Sequence, residues 1–247
     1  MKYLFLSVLV LAIAAGAYAG GYNSCGFEPP FFTVGLLNGQ DGWSGSSGGG
    51  GLDPVVQTDV VEGRQAVKLE VPDVQGAYSE MDIAIPTVTI TGNEIVTVSY
   101  DIFHPLNQEG KIQNLWWWWW DSGEPTYGLQ WDQGSTYPHG WNPGSSSAPN
   151  VYGQWTNVTM VWDFTQMKAY SWYNGALVDN GIPITNISKL TGWSIYLGHD
   201  AATGTGADVA YIDCFCISVQ NIPEPGSMLA LGSGFLGLIG FAIRRRR

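Results

Sequence analysis

Glu80 and Asp82, in "SEMDIAIP" (79–86), are the residues of this sequence that most suggest acid–base chemistry. Two carboxyl groups can cleave a glycosidic bond with retention when they lie about 5–5.5 Å apart, one as nucleophile and one as acid. The histidines, His104, His139 and His199, are scattered among mixed polar neighbours. No nucleophile elbow or metal-type cluster joins them. The other conspicuous stretch is "LWWWWWD" (115–121), in which Trp116, Trp117, Trp118, Trp119 and Trp120 run consecutively. Flat indole faces stack on the C–H faces of sugar rings, and indole N–H groups donate to hydroxyls. In a strand Trp116, Trp118 and Trp120 share one face, and Trp117 and Trp119 the other. One set can fill a core, and the other then forms an apolar surface that needs a reason. Three reasons stand open: a glycan platform joined by Trp131 and Trp141, burial under the loop "NPGSSSAPN" (142–150), or self-association. Mixed flanks (Ile112 and Asn114 against Gln113 and Leu115) leave the facing undecided.

Any such site needs a scaffold, and the ends of the chain say where the scaffold works. Residues 1–19, "MKYLFLSVLVLAIAAGAYA", carry Lys2, an apolar run and a small-x-small "AYA". This is the pattern of a secretory signal peptide with a helical apolar core. The C-terminal stretch 222–247 holds Pro223, Glu224 and Pro225, then an uncharged apolar run over 228–243, then Arg244, Arg245, Arg246 and Arg247. The run is slightly below the usual ~20 residues of a transmembrane helix. The arginines belong on the cytoplasmic side, so the body of the chain faces outward. The three parts, in this order, resemble the PEP-CTERM sorting signal of Gram-negative bacteria. The resemblance implies an exosortase as processing partner and a transient stay in the inner membrane. Delivery to the cell surface or an exopolysaccharide matrix would follow.

Between the two ends lies a body of residues 20–221, one domain in length. The net charge of the whole chain is −11. Half of the ten basic residues lie outside the body, four of them in the tail, and nearly all the acidic ones lie inside it, so the body is more acidic still. Such a surface repels nucleic acid and anionic lipid and suits neutral glycans or divalent cations. Charged residues make up only 13% of the chain, and no amphipathic helix is evident in the body. Instead, β-prone runs alternate with turn residues. Period-two patterns point one set inward in each: Val67, Leu69 and Val71; Met81, Ile83 and Ile85; Val96, Val98, Tyr100 and Ile102; Val158, Met160, Trp162 and Phe164; Trp193, Ile195 and Leu197. Many such strands without intervening helices argue an all-β, antiparallel β-sandwich.

The segment 153–181 resembles the centre of laminin-G-like and concanavalin-like jelly rolls. Trp155, Val158 and Asp163 match a W-x-x-V-x-x-x-x-D strand, and Tyr173, Asn174, Gly175 and Val178 match a Y-x-N-G-x-x-V hairpin. Asn-Gly is a strong two-residue hairpin turn, because both residues tolerate positive φ. The stretches 26–43 and 210–219 resemble the two ends of carbohydrate-binding jelly-roll modules. That resemblance implies a structural Ca²⁺ held by Glu28 and Asp213, with carbonyls completing the oxygen shell. If the end strands pair with Glu28 opposite Asp213, Cys25 falls opposite Cys216. The expected disulfide is then Cys25–Cys216, with Cys25–Cys214 the alternative. Laminarinase-type jelly-roll glycosidases carry E-x-D-x-x-E, which Glu80 and Asp82 match, but Ile85 stands at the third place. The expectation is therefore not an enzyme but an exported protein that associates with extracellular polysaccharide. A self-associating matrix protein is the alternative, and a glycoside hydrolase the third reading.

Overall fold

Strand after strand of this chain puts every second side chain into one shared interior. The computed structural model describes residues 18–58, 65–105, 114–119, 128–132, 135–139, 148–149, 151–184, 188–198 and 207–222. Its strands are β1 (Tyr18–Asn23), β2 (Gly35–Leu36), β3 (Trp43–Gly48), β4 (Leu52–Gln57), β5 (Ala66–Val71), β6 (Tyr78–Thr89), β7 (Glu94–Phe103), β8 (Asn114–Trp119), β9 (Gly128–Asp132), β10 (Ser135–His139), β11 (Ala148–Pro149), β12 (Trp155–Asp163), β13 (Lys168–Tyr173), β14 (Ala176–Pro183), β15 (Lys189–Gly198) and β16 (Asp208–Asn221). A 3₁₀ turn, Cys25–Phe27, follows β1. All the strand pairings are antiparallel. Nine strands form the larger sheet, in the order β14-β13-β12-β7-β16-β5-β4-β2 with β1 on β16. Four strands form the facing sheet, β3-β6-β15-β8, and β11-β10-β9 make a small third sheet. This is a jelly-roll β-sandwich. The leader, the apolar run 228–243 and the arginine cluster lie outside the described residues.

The expected inward sets on β5, β6, β7, β12 and β15, together with Phe164 just past β12, are all buried in one core. Aromatic rings join the two sheets across it. Trp162 of β12 meets Trp193 of β15 edge-on at 5.1 Å, and Trp43 of β3 meets Phe215 of β16 edge-on at 5.1 Å. Edge-to-face pairs of this kind contribute about 0.5–1.5 kcal/mol beyond their area burial. Asp163 ends β12 by folding the turn after it: its carboxylate accepts from the backbone N–H groups of Thr165 and Gln166 and from both their side chains. The hairpin between β13 and β14 turns on Asn174 (φ 50°) and Gly175 (φ 74°), as the Asn-Gly pair requires.

One strand breaks the alternation. On β16 Ala210 and Ile212 face the core, and then Phe215, Ile217 and Val219 do. The parity switches at a bulge: the ladder to β7 runs from Asp213–Asp101 to Cys216–Ser99, so two residues of β16 face one of β7. Cys214 occupies the bulge with φ 51°. Bulges of this form re-aim the residues beyond them.

The end strands pair as expected, but two residues out of the expected register. Asn23, not Cys25, stands opposite Cys216. Neither Cys214 nor Cys216 is disulfide-bonded. This corrects the Cys25–Cys216 expectation. Its cause is that β1 ends before Glu28, which lies beyond the 3₁₀ turn and cannot set the ladder.

Candidate functional site

The four-stranded sheet has one face in the core and one face turned away from it. Cross-strand register assigns residues to each. Trp43, Ile83, Trp193 and Trp119 form one row, and Gly45, Met81, Ile195 and Trp117 another. Trp43, Ile83, Met81, Trp193 and Ile195 are buried, so these are core rows. The alternate rows make the second face. Ser44, Asp82, Ser194 and Trp118 are in line, then Ser46, Glu80, Tyr196 and Trp116, then Gly48, Tyr78, Gly198 and Asn114. Trp116 and Trp118 thus hold register positions on the polar face, and Trp117 and Trp119 hold positions on the core face. Trp120 and Trp141 lie outside the described residues. Trp131 is on β9, opposite Thr136 in the three-stranded sheet, and β9 runs beside β8.

Two carboxylates form the centre of the polar face. Ser194, fully buried, donates its hydroxyl to Asp82 Oδ1. Ser46 Oγ donates to Glu80 Oε2 at 3.3 Å. Burial, followed by the neighbouring Asp82 charge, pushes the Glu80 carboxyl up to about 7, against the lowering effect of the Ser46 and Ser194 hydroxyls. Burial also raises Asp82, again opposed by Ser194. Among the described residues no basic side chain contributes to holding Glu80 ionised, so near neutrality the pair carries an exchangeable proton. Beside the carboxylates Tyr78 and Tyr196 stack with ring centroids 5.4 Å apart and planes 19° from parallel. Both rings lie over glycines: a Cβ on Gly48 or on Gly198 would come within 2.4 Å of a tyrosine ring carbon. Glycine at these two places lets the rings lie flat along the sheet. The face therefore offers flat aromatic surface, carboxylate acceptors and hydroxyl groups within a few strands' width. Ile85 of the E-x-D-x-x-E comparison is 8% exposed and belongs to the core. No third carboxylate follows from that position.

The second expected site is at the chain ends. Gly26, in the 3₁₀ turn with φ 73°, lies close to both residues: a Cβ there would be 3.4 Å from Asp213 Oδ1 and 3.7 Å from Glu28 Cγ. The two residues paired in the sequence reading are thus brought to one place. Glu28 Oε1 accepts from the Gln65 N–H at 2.8 Å, and Asp213 Oδ1 from the Cys214 N–H at 2.6 Å. Asp101 faces Asp213 across the ladder, a like-charge pairing that is unfavourable unless something compensates it. Ser24 Oγ and Gln65 Oε1 are buried oxygens with no hydrogen-bond partner among the described residues. An oxygen-seeking cation fits this chemistry. Among the described residues, however, no group of three His, Cys, Asp or Glu side chains gathers, so backbone and amide oxygens would have to complete the shell. The sequence reading missed Ser24 and Gln65, since neither carries a charge to mark it.

Comparison with known proteins agrees with the architecture. The fold is similar to that of a sialidase (TM-score 0.53, 15% identity, 72% of this chain and 17% of that one). It is similar to the alginate lyase AlgAT5 from polysaccharide lyase family 7 (TM-score 0.50, 13% identity, 67% of this chain and 82% of that one). It is also similar to a protein of unknown function from Shewanella oneidensis MR-1 (TM-score 0.50, 10% identity, 78% of this chain and 89% of that one). The chain spans only about a sixth of the sialidase. At these identities the likeness shows the jelly-roll fold alone. No curated protein matches the sequence. Residues 221–247 match the PEP-CTERM protein-sorting motif. The chain carries the signal for exosortase-dependent export to the cell envelope or surface, and its body is a jelly roll.

Proposed function

We propose that the exported domain associates with extracellular polysaccharide without cleaving it, and that it does so on the polar face of the four-stranded sheet. The observation that carries this reading is the register of β8 with β15. It puts Trp116 in the row of Ser46, Glu80 and Tyr196, and Trp118 in the row of Ser44, Asp82 and Ser194. Aromatic planes beside short polar side chains are what a sugar chain needs, because each ring presents an apolar C–H face and a rim of hydroxyls. Export through a PEP-CTERM signal delivers the domain to where such polymers lie.

The enzyme reading has less support. Retaining glycoside cleavage needs a second carboxyl at the proper distance, and the position that would supply it is Ile85, packed in the core. Elimination on a polyuronate needs a face that accepts carboxylates, whereas Glu80 and Asp82 place negative charge there. For a structural calcium at Glu28 and Asp213, the support is the approach of both residues to Gly26 and the buried oxygens of Ser24 and Gln65 that have no hydrogen-bond partner among the described residues.

The test is binding of the exported protein to an array of neutral and charged bacterial and algal polysaccharides, together with its Trp116→Ala and Trp118→Ala variants. The expected result is binding that each substitution weakens at least tenfold while the fold is kept. Folded protein that binds no polysaccharide overturns the proposal. A sedimentation coefficient that then rises with protein concentration would favour the self-associating matrix protein. Release of reducing ends, lost in Glu80→Gln, would favour the hydrolase.

A further inference from the structure

We propose that the domain carries a second binding face for neutral polysaccharide, on the outer side of the nine-stranded sheet, and that with the first face it cross-links two polymer chains. The cross-link rests on the function proposed above; the second face stands on its own observations. Register sets Trp155 of β12 opposite Phe103 of β7, and Phe103 opposite Tyr211 of β16. One step along, Thr156, Ile102 and Ile212 are aligned in the same way, and all three are buried in the interior. The alternation therefore turns Trp155, Phe103 and Tyr211 away from the core, and each is partly exposed.

Phe103 braces the two rings beside it. Its centroid lies 5.6 Å from that of Trp155, with planes at 53°, and 6.0 Å from that of Tyr211, with planes at 65°. Tilted and edge-on contacts of this kind hold aromatic rings in place, so little side-chain freedom is lost when a ligand lands on them. Trp155 and Tyr211 are two strands apart, about 9–10 Å at the usual strand spacing. That is close to the span of two linked pyranose rings, so one polymer running across the strands can meet both.

The surroundings choose the occupant. On one side of the row Asn157, exposed, donates to Asp101 Oδ1 at 2.9 Å and accepts from the Thr159 hydroxyl at 2.9 Å. Beyond Tyr211 the row reaches Lys68, whose charge is paired with Glu70 on the same strand. A line of rings one residue wide, beside amide, carboxylate and hydroxyl groups, matches a chain of sugars with apolar ring faces and a hydroxyl rim. Asp101 brings negative charge and the Lys68 ammonium is already paired, so the fit is to an uncharged polymer. A stable protein partner would cover roughly 800 Å² of this chain, far more than three partly buried rings offer. The outward faces of the two sheets point in opposite directions, so one domain can hold two chains at once.

The test uses the exported protein and beads coated separately with dextran, mannan, laminarin and hydroxyethyl cellulose. Wild type should bind at least one kind of bead and agglutinate it. The double variants Trp155→Ala/Tyr211→Ala and Trp116→Ala/Trp118→Ala should each still bind those beads but agglutinate them roughly a hundredfold less well, because each keeps one face. Tyr211→Ser alone takes the place of the first double variant if circular dichroism shows that the latter does not fold. Agglutination unchanged by substitutions at Trp155 and Tyr211 overturns the second face. So does binding that vanishes altogether in Trp116→Ala/Trp118→Ala, an outcome that leaves the function proposed above intact. Binding that instead vanishes in Trp155→Ala/Tyr211→Ala, and is undiminished in the other variant, overturns the first face and the cross-link. Wild type that binds none of the beads overturns the second face, and the polysaccharide array decides the first. If agglutination disappears together with a dimer seen by sedimentation without beads, the row is a self-association surface and the proposal is overturned.

Discussion

Glu80 is a carboxyl whose folded environment favours its neutral form. Burial raises it to about 7, and the Asp82 charge adds to the effect. In the unfolded chain it titrates near its ordinary value of 4.5. A carboxyl raised on folding contributes stability that is fully present below the unfolded value and is lost as pH rises through the folded one. The window is therefore about 4.5 to 7, and Asp82, also raised, acts in the same direction. Glu94 acts oppositely: burial works against its ionised form, but hydrogen bonds from Thr91, Gly92 and Asn93 outweigh that and lower it. Its contribution appears above its ordinary range and is lost in acid. Because the two windows oppose each other, the informative quantity is the difference between wild type and Glu80→Gln. Urea midpoints measured from pH 4.5 to 8 should show the variant gaining on wild type as pH rises, with most of the gain complete by pH 8. Parallel curves would mean that Glu80 is solvated and ionised like a surface residue.

At the scale of the element, inward faces were legible wherever one strand carried an uninterrupted apolar alternation, as on β7, where Val96, Val98, Tyr100 and Ile102 are all fully buried. The tryptophan strand was not legible, because all its alternate positions are the same residue and its flanks are mixed. Its facing is decided by a neighbour: β15 carries Trp193 and Ile195 into the core, and the register with β15 carries that parity to Trp119 and Trp117. The bulge on β16 was hidden for a different reason. Nothing in "YIDCFCISV" marks Cys214 as a left-handed residue, since bulges usually announce themselves with glycine. That one extra residue switches the facing of everything after it on β16. The parity assignment has a consequence for stability. Trp117→Ala should cost about 3–5 kcal/mol, the range for emptying a large aromatic position from a core. Trp116→Ala should cost less than about 1 kcal/mol. Equal losses in denaturant unfolding would mean that β8 does not keep this register.

At the scale of the whole molecule, the two ends of the domain meet. Tyr18 stands opposite Gln220 and Asn23 opposite Cys216, so the exported body begins and ends on adjacent strands, with the sorting motif starting at residue 221. Both ends therefore depend on the packing of β1, the 3₁₀ turn and β16, where Glu28 and Asp213 approach Gly26. Asp213 is 5% exposed and faces Asp101. Glu28 and Asp213 both approach Gly26, and a divalent cation held by both carboxylates would offset their like charge. A cation that binds the folded chain and not the unfolded one stabilises it by mass action, by about 2.7 kcal/mol at a hundred times its Kd. For a domain of this size that corresponds to a Tm rise of roughly 5–10 °C. Calcium added to chelator-treated protein should produce that rise in wild type. Glu28→Gln should already be less stable, because a neutral amide is a weaker acceptor for the Gln65 N–H, and it should respond little to calcium. Gly26→Ala should also lose the response: its φ is positive, and the added methyl would lie against the Asp213 and Glu28 side chains. If wild type and both variants melt at temperatures that calcium does not move, the junction is held by hydrogen bonds and packing alone. Glu28 would then act as the acceptor that fixes the backbone at Gln65.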